Sequence, residues 1–185
     1  MHQTVKTIFR LFFAVVIFII TVALFVSVFS KTQEILNAEK NFKQAKMLSL
    51  KSSSSEQLVL VSNNKRPDQS IFIVIANNGF ISKINCEPYL KDICTDEYNQ
   101  LHTRQISQID LLKIGQHTYI QQLNYQDSRT QKQQQLHYSK AHIQQFYQND
   151  ISNLKYIVFS ILLFAFAALY VSVKIIRNFK KFLSR

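Results

Sequence analysis

The chain has 185 residues, and its 22 Lys and Arg against 11 Asp and Glu give a formal net charge of +11. It contains only two glycines and two cysteines. The length is typical of a single domain. Two isolated glycines exclude phosphate-cradling glycine loops and the Gly-x-Ser-x-Gly nucleophile turn, because both motifs need closely spaced glycines.

Two long apolar segments predict two transmembrane helices. Segment 11–29 contains only Thr21 and Ser27 as polar residues, and segment 156–173 contains no charge. Each would form a helix of roughly 27–29 Å, close to the hydrocarbon thickness of about 30 Å. A cleaved signal peptide ending at Ser30 is the alternative for the first segment. Its apolar run exceeds the usual signal core of about 7–15 residues, so we favour an uncleaved anchor.

The charges predict the orientation of these helices. The tip segments 1–10 and 174–185 carry Lys and Arg but no acidic residue, whereas every Asp and Glu lies between the two apolar segments. Basic residues accumulate on the cytoplasmic side of membrane proteins. We therefore expect a bacterial cytoplasmic (inner) membrane protein with both termini in the cytoplasm and residues 31–155 in the periplasm. Because topology explains most of the basic charge, no nucleic-acid partner is expected.

The two cysteines, Cys86 and Cys94, both fall in the predicted periplasmic segment. An oxidising compartment favours a disulfide between them. A redox-active pair is the alternative, but such pairs usually have Cys-x-x-Cys spacing, and seven residues intervene here. We therefore predict a structural disulfide.

Helical spacing continues beyond each membrane segment. Apolar residues recur every three or four positions in segments 30–50 and 141–155, which predicts two membrane-proximal helices. Between them, KSSSSE (51–56) is typical of a flexible linker. The apolar stripe has two interpretations, packing onto its own domain or contact with another chain. We hypothesise an interaction surface for self-association or a protein partner. Its predicted residues are Ile35, Ala38, Phe42, Ala45, Ile143, Phe146 and Tyr147.

Strand patterns dominate segment 51–140. QLVLVS is one candidate strand, and SIFIVIANNGFISKINC predicts a hairpin that turns at Asn78-Gly79. The apolar run 71–75 predicts a central strand covered on both faces. Segment 87–101 is typical of a loop or short helix, QISQIDLLKI is ambiguous, and HTYIQQLNYQ and QLHYS predict two more strands. The predicted class is α+β, with two transmembrane helices flanking a small mixed helix and antiparallel-sheet domain outside the cytoplasm.

No motif for catalysis or metal binding accompanies this organisation. The histidines lack the i, i+4 spacing that places two ligands on one helix face. The apolar segments carry no ionisable residue, which argues against a transporter or proton relay. They do carry small residues suited to helix packing, including Ser27, Ala165 and Ser172. We predict a non-enzymatic protein without cofactor, metal or catalytic residues.

The segment 174–185, KIIRNFKKFLSR, predicts a basic amphipathic helix in the cytoplasm. Such a helix suits the anionic inner leaflet of the lipid bilayer. A docking helix for a partner and the start of a signal-relay linker are the alternatives, and the segment is too short for an output domain. The predicted lipid-contacting residues are Lys174, Arg177, Lys180, Lys181 and Arg185.

Two functions fit these observations. The favoured one is an accessory or interaction module that binds another envelope component. The alternative rests on IFIVIANNGFISKI, which resembles the strand–turn–strand hairpin of PAS-like and Cache sensor domains. That resemblance implies a ligand-sensing input module that signals through a separate partner. It covers about fourteen residues and carries no ligand-binding residue across.

The predicted topology can be tested by labelling single cysteines introduced into a cysteine-free variant. In intact cells, an impermeant thiol reagent should label Ser52→Cys but should label Ser184→Cys only after the membrane is opened. Both positions should react after solubilisation, which serves as the control. Labelling of Ser184→Cys in intact cells would contradict the predicted orientation.

Overall fold

The computed structural model describes residues 2–76, 79–95 and 102–179. Apolar N- and C-terminal helices flank an antiparallel seven-stranded sheet, so the predicted α+β class is confirmed. The chain divides into two compact units. Residues 1–38 and 150–185 form the helical unit, and residues 39–149 form the sheet unit.

The helices are α1 (His2–Leu36), α2 (Ala38–Lys43) and α3 (Lys140–Arg177), and a 3-10 turn covers Glu87–Tyr89. The strands are β1 (Lys46–Lys51), β2 (Leu58–Asn63), β3 (Ser70–Ile75), β4 (Gly79–Asn85), β5 (His102–Ile114), β6 (His117–Asp127) and β7 (Gln133–His137).

In the helical unit, α1 and α3 are each long and apolar enough to cross a membrane. A polar contact joins them, because the hydroxyl oxygens of Thr21 and Ser172 lie 3.0 Å apart and both residues are buried. Thr21 also donates a hydrogen bond to the Ile17 carbonyl. Ser27 instead is exposed and bonds within its own helix. Interhelical hydrogen bonds of this kind contribute about 0.6 kcal/mol on average in a membrane.

The sheet unit is built around β5. The strand order is β4-β3-β2-β5-β6-β7, and β1 pairs with β5 beyond the point where β2 ends. All pairings are antiparallel. The predicted antiparallel pairing of β3 with β4 is confirmed, and Gly79, the first residue of β4, has a positive φ of +111°. Asn78, the other predicted turn residue, lies outside the described residues. The segment QISQIDLLKI, whose secondary structure the sequence leaves ambiguous, lies in β5, the longest of the described strands.

Residues 46–51 form a strand where the sequence pattern predicts the end of a helix. The helix stops at Lys43, and β1 pairs with residues 108–113 of β5. Leu50 thereby packs against the core. The serine run is a hydrogen-bonded turn between β1 and β2 rather than a flexible linker from helix to sheet. Ser52 Oγ donates to the Ile106 carbonyl at 2.6 Å and accepts from the Leu58 amide at 2.8 Å.

The main core lies on one face of the sheet and is covered by the crosslinked loop, residues 86–95. Cys86 and Cys94 form the predicted disulfide, and both are almost completely buried, with 0 % and 1 % exposure. Tyr89 and Ile93 of the same loop are also buried. The sheet residues beneath them include Leu58, Leu60, Ile71, Ile73, Ile84, Ile106, Ile109, Leu111, Ile120, Leu123 and Tyr125.

A second cluster covers the turn between β5 and β6. Here Tyr147 of α3 stacks on Phe42 of α2, with ring centroids 6.2 Å apart, and contacts the rings of Tyr119 and His117 edge-on. Gly115, with φ of +58°, has the Asn41 side chain 3.3 Å from where a Cβ would stand. The first turns of α3, with the buried residues Ile143 and Tyr147, are therefore part of the packing of the sheet unit, and half-buried Phe42 of α2 packs beside them.

The disulfide should stabilise the sheet unit without being redox-active. Replacing both Cys86 and Cys94 by serine should lower the free energy of unfolding by about 2.5 kcal/mol through loss of loop closure. Chemical unfolding of the full-length protein in nanodiscs would measure this change. An unchanged unfolding midpoint would contradict the stabilising role, and two free thiols in the unreduced wild-type protein would contradict the disulfide itself.

Candidate binding face of the sheet

The sheet has a second face, directed away from the main core, which we call the outer face. Side chains alternate across a strand, so neighbours of core residues point to it. Leu58 and Leu60 of β2 lie in the core, whereas Val59 and Val61 do not belong to it. The described residues of α2 and α3 cover the sheet near the turn between β5 and β6, where Tyr147 packs. The rest of the outer face carries two unusual groups of side chains, one on β2–β4 and one on β5–β7.

The first group is apolar, and we call it the valine–phenylalanine patch. Its members are Val59, Val61, Phe72, Val74 and Phe80. They are cross-strand neighbours, since Val59 pairs with Val74, Val74 with Phe80 and Val61 with Phe72. Phe80 is 61 % exposed, and its ring lies 6.2 Å from that of Phe72. An antiparallel sheet normally presents polar residues on its solvated face, so this patch needs an explanation.

The second group consists of amides and forms the floor of an open cleft of about 640 Å³, the amide cleft. Gln105, Gln126 and Gln133 stand side by side on β5, β6 and β7, and Asn124 pairs with Gln135 in the next row. The turn between β1 and β2 forms one wall. The lining residues are Ser52, Ser53, Gln57, Leu58, Gln105, Ile106, Ser107, Asn124, Tyr125, Gln126, Gln133, Gln134 and Gln135.

The amide cleft is polar but neutral. Among the described residues that line it, none carries a charge. Tyr125 donates its hydroxyl hydrogen to Gln134, and Gln126 bonds to Gln131. The Oδ1 atom of Asn124 is buried without a hydrogen-bond partner in the described chain. This oxygen is not itself exposed, and the amides that face the open cleft are those of the exposed residues Gln105, Gln133 and Gln135.

A second open cleft, of about 570 Å³, lies beside the turn between β2 and β3. It is lined by charges of both signs, including Arg66, Asp68, Lys83 and Glu87. Lys83 Nζ lies 2.7 Å from an Asp68 carboxylate oxygen. This hydrogen bond, with a second one from Ser70, lowers the pKa of Asp68. The ion pair is exposed, and such pairs contribute little to stability.

Two phenols of the sheet unit have hydrogen-bonded partners and raised pKa values. Tyr138 donates its hydroxyl hydrogen to Asp92 at 2.6 Å, and burial, followed by this carboxylate, raises its pKa far above the usual range. Burial also raises the pKa of Tyr125. Both phenols therefore stay protonated at neutral pH. Among the described residues, no group of three His, Cys, Asp or Glu is placed to hold a metal ion.

Four of the residues predicted to form an exposed interaction surface pack within the sheet unit instead. Ile143 and Tyr147 are buried, and Phe146 packs against Tyr89 and Tyr138. Phe42 stacks on Tyr147 within the same unit. For these four residues the structure favours packing onto their own domain over an exposed surface that contacts another chain. The remaining stripe residues, Ile35, Ala38 and Ala45, are half-buried.

The predicted lipid-contacting residues fall at the end of α3. Lys174 and Arg177 lie in its last turn, and Lys174 Nζ lies 5.9 Å from the centroid of the Tyr170 ring. Lys180, Lys181 and Arg185 are outside the described residues. Contact with the inner leaflet stays a prediction.

Sequence reasoning missed both groups on the outer face. The signal for the patch is that LVLV in β2 and IFIVI in β3 leave apolar residues on both faces. The second run predicts a strand covered on both faces, but Phe72 and Val74 are only half-buried. The amide cleft has no local signal, because Gln105, Gln126 and Gln133 meet only through strand register.

Comparison with known proteins finds no matching family model, curated protein or solved structure.

Proposed function

We propose that this chain is a non-enzymatic two-pass protein of the bacterial cytoplasmic membrane whose sheet unit binds another protein of the cell envelope. The observation that carries the proposal is the valine–phenylalanine patch. It offers a contiguous apolar surface on a sheet whose other face is already occupied by the main core. Exposed apolar patches of this kind mark protein–protein contacts.

The proposed location in the cytoplasmic membrane is supported by three features: the two apolar helices, the basic charges at the tips and the disulfide. Two candidate membrane helices flank the sheet unit. The basic tips predict that both ends face the cytoplasm, with Lys174 and Arg177 at the inner leaflet. The Cys86–Cys94 disulfide supports an oxidising compartment for the sheet unit, which is the periplasm in this proposal.

The energetics of the patch favour one dominant contact. Complete burial of a Val or Phe side chain contributes about 1.5–3 kcal/mol. Phe80 has the most exposed area to lose, and it lies beside Phe72, whose ring also contacts Lys83 Nζ at 5.7 Å. Interface energy usually concentrates in a few aromatic and Arg residues surrounded by weaker contacts. We therefore place the centre of the proposed interface at Phe80.

The amide cleft favours a second candidate function, the ligand-sensing module. A cleft of about 640 Å³ falls within the size range of small-molecule sites. Its floor carries the outer-face amides of Gln105, Gln126 and Gln133, and the core residues Leu58, Ile106 and Tyr125 also line it. In this alternative, the cleft would receive the ligand and a separate membrane partner would relay the signal.

The proposed interface can be tested by photocrosslinking in living cells. A photoreactive phenylalanine analogue at Phe80 should give a defined adduct with another envelope protein, because that side chain lies at the centre of the proposed contact. The same analogue at Leu90 is the control, since Leu90 is an exposed apolar residue of the crosslinked loop, 40 % accessible and outside the patch. Mass spectrometry of the adduct identifies the partner.

A variant separates binding from folding. Phe80→Ser should abolish the complex while leaving thermal unfolding of the purified protein nearly unchanged, because Phe80 packs against no core residue. Equal adducts from positions 80 and 90, or none from either, would contradict the proposed interface. An adduct of twice the chain's mass would assign the patch to self-association and contradict a different partner.

A further inference from the structure

We infer that the amide cleft binds a neutral polyhydroxylated ligand, a short oligosaccharide segment. This inference rests on the β5–β7 half of the outer face and does not depend on the protein contact proposed at the valine–phenylalanine patch.

The hydrogen-bonding groups match the chemistry of sugar hydroxyls. Each side-chain amide presents both a donor NH₂ and an acceptor oxygen, and a sugar hydroxyl also both donates and accepts. Gln105, Gln126 and Gln133 form one row across three strands, and Asn124 with Gln135 forms a second. Directly opposed cross-strand side chains have Cβ atoms about 4.5–5.5 Å apart. The rows therefore offer several closely spaced donors and acceptors to an extended polar ligand.

The lack of charge argues against an ionic ligand. Phosphate and carboxylate groups are usually held by Arg, Lys or helix N-termini, and a cation by carboxylates. The described lining residues provide none of these side chains, although the sheet unit carries many Lys and Arg elsewhere. Burying an ion among neutral amides costs more than burying a hydroxyl that finds partners.

The position of the cleft argues against an added peptide strand. A peptide that extends a sheet needs an unpaired backbone edge. The floor of the cleft is the face of β5, β6 and β7. β5 and β6 are paired on each side, and β7 is an edge strand whose free backbone groups point sideways in the plane of the sheet rather than into its face. A ligand that lies on this face therefore meets side chains rather than the free edge of β7. A saccharide, whose hydroxyls bind to side chains, therefore fits this site better than a peptide that needs main-chain pairing.

The inference can be tested with the full-length protein in nanodiscs made from lipids without sugar headgroups. Saturation-transfer NMR and calorimetry would measure binding of two neutral probes, triacetylchitotriose and maltotriose. We expect at least one to bind. The two probes distinguish N-acetylated amino-sugar chains from simple glucose chains.

Two variants locate the site. Gln105→Met combined with Gln135→Met removes two amides of similar size from the cleft, and it should weaken binding about tenfold or more through lost hydrogen bonds. Neither side chain is buried, so the fold should tolerate the change. Gln145→Met is the matched control, because Gln145 is an exposed glutamine of α3 outside the cleft, and its binding should equal wild type.

Three outcomes would overturn the inference. One is failure of both saccharides to bind. Another is saccharide binding that the double variant leaves unchanged. The third is preferential binding of a neutral Ser- and Gly-rich peptide in the same cleft. These results leave the Phe80 crosslink untouched, so failure of this inference is distinguishable from failure of the proposed function.

Discussion

The arrangement of the sheet unit depends on one buried guanidinium. Arg104 of β5 is only 2 % exposed, donates to Ser62 Oγ at 2.9 Å and to the Ile93 carbonyl at 2.6 Å, and lies 5.6 Å from the Tyr125 ring centroid. Asp127, also buried, stands opposite Arg104 in the β5–β6 register. Because a buried charge is costly unless partnered, this arrangement fixes the crosslinked loop against the sheet. The disulfide closes the loop, and the hydrogen bond from Arg104 to the Ile93 carbonyl holds the loop against the sheet.

This attachment determines which face of the sheet is available for binding. The crosslinked loop covers the main core, and Tyr147 and Phe42 cover the turn between β5 and β6. The remaining outer face carries the valine–phenylalanine patch on β2–β4 and the amide cleft on β5–β7. The two regions are neighbours, since Val59 pairs with Gln105. A protein partner and a saccharide could therefore be bound side by side and influence each other through this row of residues.

The sequence predicted the features that depend on local composition or spacing. Both apolar helices, the Cys86–Cys94 disulfide and the β3–β4 hairpin could be inferred because each signal lies within a short segment. The helix predicted for 30–50 is too long, because residues 46–51 pair with distant β5. This pairing, and not the local helical spacing, determines where Leu50 packs. The stripe containing Phe42 and Tyr147 was correctly seen as apolar, but its burial depends on tertiary contacts. The outer face was missed because register alone assembles it.

The most direct test of the account is the accessibility of the outer face in its native membrane. A single cysteine at Phe80 in a variant lacking Cys86 and Cys94, checked for native folding, would be labelled by a small thiol reagent. Labelling would be compared between native membranes and the purified protein in nanodiscs, with a reporter at Leu90 as reference. The account predicts fast labelling at both positions in nanodiscs and selective protection of position 80 in native membranes. Equal labelling of position 80 in the two preparations would contradict a binding role for the outer face.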